Sequence, residues 1–141
     1  MTEPLQSAIG ELKAMGHPVR LRILAMLRDG ELCVCQMTAL LDLATSTVSA
    51  HLADLRRAGL VSERKDGRWV FYRLVDAEHP VLTSVWRTVS KDARVQADAR
   101  LLRQIRKVDI AELCRVDLDL SRLGIRRTGA ARAPQARKGA R

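Results

Sequence analysis

Cys33 and Cys35 are the residues of this 141-residue chain whose type and spacing best suit chemistry. Thiolates are soft donors and select soft ions. Two residues apart, they share a face of an extended segment. On an α-helix they stand about 200° apart and cannot grip one ion. Joint ligation therefore requires non-helical backbone at this point. A helix N-terminus there would favour the thiolate. The competing reading makes both residues small buried hydrophobes, a common fate of free cysteine. Cys114 is the one cysteine left. Three is an odd number, which argues against a disulfide framework. A reducing, cytoplasmic setting is the default for such a chain.

A second cluster carries hydroxyls: Thr45-Ser46-Thr47-Val48-Ser49-Ala50-His51. Small hydroxyl side chains donate and accept toward base edges and phosphates. At a helix N-terminus the backbone amides also favour phosphate. Thr45 or Ser46 could instead simply cap the helix. His51 lies three positions after Val48, so a buried, hydrogen-bonded role is equally open. Further on, Arg64, Lys65 and Arg68 form a basic rim around Asp66-Gly67.

These groups need elements to position them. Helical spacing predicts a first helix over 4–15, with Leu5, Ile9 and Leu12 on one face. Pro18 suits the first position of a second helix, which runs to about Arg28. A third, short helix covers 35–41, and Asp42-Leu43-Ala44 is a tight connection. A fourth runs from Thr45 or Ser46 to about Ala58, with Val48, Leu52 and Leu55 inward. The period then changes to two. Strand-like runs at 61–65 and 68–74 flank Asp66-Gly67, a strong hairpin signal. After His79-Pro80 a long helix extends toward Val108, with Val81, Leu82, Val85, Trp86 and Val89 as an apolar stripe. A short helix follows at 110–115. Two short helices, a tight turn and a hairpin spell helix-turn-helix plus wing, in which the second helix enters the major groove.

Composition permits this fold. Hydrophobic residues make up 47% of the chain and aromatics only 3%, so aliphatic side chains must fill the core. No apolar run approaches the roughly 18–20 residues that span a bilayer, and the first ten residues have no signal-peptide pattern. Net charge is +9, but 126–141 holds six basic residues and no acid, which leaves +3 for 1–125. That tail is Ala, Arg, Gly and Pro with little to bury, and is expected to be disordered. The expected organisation is a DNA-binding and dimerisation domain over 1–108, a helical extension over 109–123 and a basic tail over 124–141. An enzyme has little support: the three histidines are scattered, and no nucleophile–base pair or phosphate loop occurs.

Four motifs in order resemble one family. They are His17-Pro18-Val19-Arg20-Leu21-Arg22-Ile23-Leu24, Glu31-Leu32-Cys33-Val34-Cys35-Gln36, Ser46-Thr47-Val48-Ser49-Ala50-His51-Leu52 and Gly67-Arg68-Trp69-Val70-Phe71-Tyr72-Arg73-Leu74. Together they resemble the arsenic-repressor (ArsR/SmtB) group of bacterial metalloregulators over about residues 4–90. The resemblance implies a mainly α winged helix-turn-helix homodimer with a small β-hairpin wing. It implies a partner, double-stranded operator DNA, released when metal binds, and a dimer interface built from the first and last helices. It casts Thr45, Ser46, Thr47, Ser49, Ala50, His51, Arg64, Lys65 and Arg68 as the DNA-contacting set.

Departures from the family narrow the inducer. Thr38 stands where the arsenic sensors carry a third cysteine. No cysteine precedes Cys33, and Val89 and Ser90 cannot ligate, so the cadmium and zinc branches lack ligands. Trivalent arsenite or antimonite needs only three thiolates, and Cys114 is the remaining candidate beside Cys33 and Cys35. Its distance beyond a long helix favours a contribution from the partner chain. The expected mechanism is that metal holds 33–35 extended, the helix start unwinds, and the DNA-reading pair is displaced. A thiol redox switch at Cys33 and Cys35 is the alternative. A constitutive architectural protein using the basic tail is a third reading.

Overall fold

The structure, a computed structural model, describes residues 3–127. Seven helices and a three-stranded sheet follow in order: α1 (Pro4–Met15), α2 (Pro18–Met26), β1 (Leu32–Cys33), α3 (Val34–Leu41), α4 (Thr45–Arg57), β2 (Val61–Asp66), β3 (Trp69–Leu74), α5 (Pro80–Val89), α6 (Ala93–Arg106) and α7 (Ile110–Arg115). Single 3-10 turns follow α2 at Leu27–Asp29 and α7 at Leu120–Leu123. This is the expected winged helix-turn-helix, mainly helical with a small antiparallel sheet. No helix among the described residues is long and apolar enough to cross a membrane.

Two helices begin on the same tripeptide, His-Pro-Val. In each, the proline takes the first helical turn, where its missing N–H costs nothing. In each, the histidine Nδ1 accepts from the valine amide: His17 from Val19 at 3.1 Å and His79 from Val81 at 3.2 Å. The recognition helix α4 lacks such a cap. Ala44 occupies its N-cap position, so neither Thr45 nor Ser46 caps it. The turn before it is carried by Asp42 at φ 56°, a left-handed conformation that Asp tolerates better than most residues.

The wing hairpin is shifted by one residue from its expected place. Asp66 pairs with Trp69, so Gly67-Arg68 forms the two-residue loop and Asp66 ends the strand. Gly67 adopts φ 60°, which needs no side chain in the way. Arg68 thereby stands at the tip. The sheet also gains a strand too short to leave a periodic signal: β1 pairs with β3, Leu32 to Tyr72 and Cys33 to Phe71.

The long helix expected after Pro80 is two helices. The chain breaks at 90–92, and Asp92 caps α6 by accepting from the Arg94 amide at 2.8 Å and the Val95 amide at 3.3 Å. The break lets α6 fold back onto α2 and α3, and α7 then lies on α3. A buried bidentate pair, Arg22 to Asp98 at 2.8 and 2.9 Å, joins α2 to α6. Leu113, Leu120 and Ile125 enter the same core as Ile23, Leu40 and Leu55. Ile125 and Arg127, assigned to the tail by sequence, are therefore held by the body, while the rest of that tail, 128–141, lies outside the described residues.

The apolar stripe of α1 faces outward. Leu5, Ile9 and Leu12 are 70%, 42% and 54% exposed, and Val81 on α5 is exposed too. His79 Nε2 meets Glu11 Oε2 at 3.1 Å, so α1 and the start of α5 are neighbours.

Candidate thiol site and nucleic-acid interface

Cys33 sits where β1 becomes α3. It is extended, at φ −74° and ψ 148°, and serves as the helix N-cap. Gln36 closes a capping box, its Oε1 accepting from the Cys33 amide at 2.8 Å. Cys35 is the second helical residue. Because an N-cap residue stands half outside its helix, the angular separation of two helical positions does not apply. The strand-to-helix junction brings both thiols together without the unwinding that sequence reasoning required. Their titration reflects that proximity. The Cys35 thiol, hydrogen-bonded to Cys33, lowers the Cys33 pKa, and the amides of Cys35, Val70 and Val34 assist against the opposing effect of burial. The same hydrogen bond, then burial and the neighbouring Cys33 and Cys114 groups, raise Cys35.

Cys114 comes from the same chain. It lines one cavity of about 550 Å³ with Cys33 and Cys35. The long reach that favoured a partner-chain thiol is shortened by the helix break at 90–92, which returns the chain's own C-terminal extension across α3. Cys33 is buried, Cys35 half-buried and Cys114 exposed. Among the described residues no three His, Cys, Asp or Glu side chains are already spaced to hold a metal ion. The three thiols share a cavity without forming a finished coordination sphere. Thr38, at the family's position for a third cysteine, is fully buried and does not line that cavity.

The same cavity is lined by Thr45 and Ser49 of α4, the second helix of the helix-turn-helix, and by Arg68 and Trp69 of the wing. Thr45, Ser46, Thr47, Ser49 and Ala50 are all exposed, while Val48, Leu52 and Leu55 anchor α4 in the core. His51 does not join the exposed row. Its ring lies 4.6 Å from that of His17, and its Nδ1 is 3.4 Å from Arg20 Nη1. Burial, then the neighbouring His17 and Arg20, lowers its pKa. Arg20 also pairs with Asp54 at 3.3 Å. His51 thus takes part in a polar cluster linking α2 to α4.

The three wing cations differ. Arg64 is engaged: it donates to both Glu31 carboxylate oxygens, at 3.0 and 2.7 Å, and lies 4.5 Å over the Phe71 ring. Lys65 and Arg68 are exposed and make no ion pair among the described residues. The Arg68 guanidinium lies 5.2 Å from the Trp69 ring centroid. Sequence reasoning missed Glu31 as the partner of Arg64, and Trp69, Tyr72 and Asp117 as cavity walls. The alternation along β3 could have flagged the wall. Nothing local in the sequence marks Glu31, which lies 33 residues from its partner.

Comparison with known proteins agrees with this architecture. The profile described as "Bacterial regulatory protein, arsR family" matches residues 17–63. The arsenical resistance operon repressor of Escherichia coli is 37% identical over 110 residues, covering 72% of this chain and 91% of that protein. ArsR1 of Pseudomonas putida, an arsenic resistance transcriptional regulator, is 46% identical over 63 residues. That match covers 44% of this chain, which spans only about half (49%) of the Pseudomonas protein's length. Among solved structures, HlyU from Vibrio cholerae superposes with a TM-score of 0.58 at 40% identity, covering 64% of this chain and all of that one. The homodimeric winged helix-turn-helix DNA-binding domain of Mb0332 from Mycobacterium bovis gives 0.55 at 29% identity, over 61% of this chain and 80% of that one. The chain belongs to the arsR family of bacterial regulatory proteins, regulators rather than enzymes.

Proposed function

We propose that this protein is a metalloid-responsive transcriptional repressor. As a homodimer it holds operator DNA, and it lets go when trivalent arsenic, or antimony, is bound by Cys33, Cys35 and Cys114. One observation carries this reading: the cavity lined by the three thiols is also lined by Thr45, Ser49 and Arg68, which belong to the DNA-facing surface. A ligand in that cavity and a duplex against α4 compete for the same neighbourhood. The donor set suits a soft trivalent ion, and each As–S bond formed from arsenite releases a hydroxyl as water with the thiol proton. Cys35 neighbours both Cys33 and Cys114, and closing three As–S bonds on them would draw α7 and the α3 junction closer still. Such a ligand prefers a conformation other than the one described, and only that differential affinity shifts the DNA equilibrium. The outward stripe of Leu5, Ile9 and Leu12, beside Val81, is the surface a second copy would cover. The relatives named for arsenic resistance and the homodimeric neighbour support the same picture.

The test is release. Cys33→Ser with Cys35→Ser should leave operator binding intact, because the fold needs only small side chains there, and should abolish dissociation by arsenite. A double variant that still dissociated normally would sink the proposal. Footprinting should show half-sites about 10–10.5 base pairs apart, or a multiple. The second reading, a thiol redox switch, draws on the Cys33–Cys35 hydrogen bond and the opposite shifts of the two thiols. Recovery of DNA binding by a reductant, where a metalloid chelator fails, would favour it.

A further inference from the structure

We infer that Arg20 is a positioning residue for the DNA-reading helix, tying it to the helix whose apolar stripe faces outward. The inference rests on the DNA-binding reading above and adds to it a link between α1 and α4. The contacts of one side chain carry it. The Arg20 side chain, on α2, is only 17% exposed, and its guanidinium reaches two other helices at once. Toward α1, its Nε donates to the Ala14 carbonyl at 2.7 Å and its Nη2 to the Lys13 carbonyl at 3.4 Å. Toward α4, its Nη1 donates to Asp54 Oδ2 at 3.3 Å and lies 3.4 Å from His51 Nδ1. Arginine offers donors only, so the His51 Nδ1 is the acceptor and its proton sits on Nε2.

Each end of this bridge suits its place. Lys13 and Ala14 belong to the last turn of α1, where carbonyls lack helical partners and a cation complements the dipole. His51 and Asp54 are three apart on α4 and share a face, just beyond the exposed Ser46, Thr47, Ser49 and Ala50. Asp54 Oδ1 accepts from Arg57, so its carboxylate is held at both oxygens.

Apolar anchoring does not do the same work. Val48, Leu52 and Leu55 bury one side of α4, but hydrophobic contact is non-directional. It sets how deep the helix sits and only weakly sets its rotation and its slide along the axis. The planar arginine fork supplies direction. A second copy covering Leu5, Ile9 and Leu12 would hold α1, and Arg20 passes that constraint to α4. The two reading helices of a dimer are thereby kept at one separation and one angle. Arg20 does this without lining the thiol cavity.

The experiment uses the full chain carrying Arg20→Gln. Three duplexes are compared: the operator defined by footprinting the parent, a random sequence, and the operator with one base pair inserted between its half-sites. Circular dichroism and urea unfolding first set a temperature at which the variant is folded. The ratio of operator to random-sequence affinity should then fall about fivefold or more, the size of an ordinary coupling. Random-sequence affinity and its salt slope should hold, because phosphate contacts carry no sequence information. One inserted base pair turns a half-site by about 34°. The parent should lose affinity for that duplex, and Arg20→Gln should lose proportionally less. Arg20→Lys keeps the charge but not the fork. It should fall between the two, and it carries the same comparisons if Arg20→Gln does not fold. Asp54→Ala combined with Arg20→Gln should lower the log ratio by less than the sum of the single effects. Equal losses on operator and random duplexes would reduce Arg20 to a stabilising contact and overturn the inference. Additive losses with Asp54→Ala would overturn the bridge to α4. An insertion penalty as steep as the parent's would overturn the link to α1. A parent chain with no operator preference would overturn the DNA-binding reading itself.

Discussion

Residues 32–57 and residues 109–127 face each other across the thiol cavity, and different forces hold them there. The first region is fixed by backbone. Leu32 and Cys33 are laddered to β3, Gln36 locks the start of α3, and α4 is seated by Val48, Leu52 and Leu55. The second region adds no strand to the sheet among the described residues. It is held by the side chains of Leu113, Val116, Leu120 and Ile125, and by the reach of Arg127 to the end of α3. Cys33 and Cys35 therefore ride on a sheet-anchored junction, while Cys114 rides on a segment that apolar burial and the Arg127 contact keep in place. A ligand that must gather all three thiols does so most cheaply by moving the second region. On the proposed reading, Cys33 and Cys35 would supply the site's reactivity and Cys114 its link to the extension.

Removing the hydrophobic anchor tests the comparison most severely. Leu113 of α7 is fully buried, so Leu113→Ala should cost about 2–5 kcal/mol of stability in urea unfolding. It should also loosen arsenite binding while leaving the Cys33–Cys35 junction in place. A stability change near zero would show that the extension is not part of this core, and the contrast drawn above would fail.

Cys114→Ser sharpens the contrast without disturbing the core, since the side chain is exposed. Arsenite affinity should fall about tenfold or more, at least 1.4 kcal/mol. X-ray absorption of the complex should show three sulfur neighbours in the parent and two in the variant. Three protein sulfurs persisting in the variant would remove Cys114 from the site. Mixed dimers with complementary cysteine defects should regain no complete site, because the cavity is built within one chain.

Most of the first region was legible in the sequence. Helical spacing gave α3 and α4 nearly to the residue, and the change of period gave the wing, because each depends on side chains close in sequence. Three features were not legible. β1 is two residues long and exists only through its pairing with β3. The break before α6 was marked by Asp92, a good N-cap residue, but the apolar stripe around it read as one helix. The meeting of Cys114 with Cys35 depends on that break and on the packing of α7 against α3, a tertiary outcome that no local pattern encodes. The hairpin loop slipped by one residue for a related reason: cross-strand register, which pairs Asp66 with Trp69, decides which residues turn.

That slip bears on the smallest predicted effect, the difference between two wing arginines. Arg64 is held by Glu31 and Phe71, so reaching a phosphate means giving up a bidentate pair. Arg68 stands at the loop tip with no ion pair among the described residues. Arg68→Ala should flatten the salt slope of DNA binding by about 0.9 and weaken all sequences alike. Arg64→Ala should leave the slope nearly unchanged and cost little stability, as expected of an exposed pair. Because Arg68 also lines the thiol cavity, its loss should alter the arsenite concentration needed for release, whereas loss of Arg64 should not. Equal slopes in the two variants would mean that the Glu31 pair opens readily on DNA, and that the loop tip holds no special place in the wing. A slope change confined to Arg64→Ala would reverse the assignment and place the phosphate contact on the strand instead of the turn.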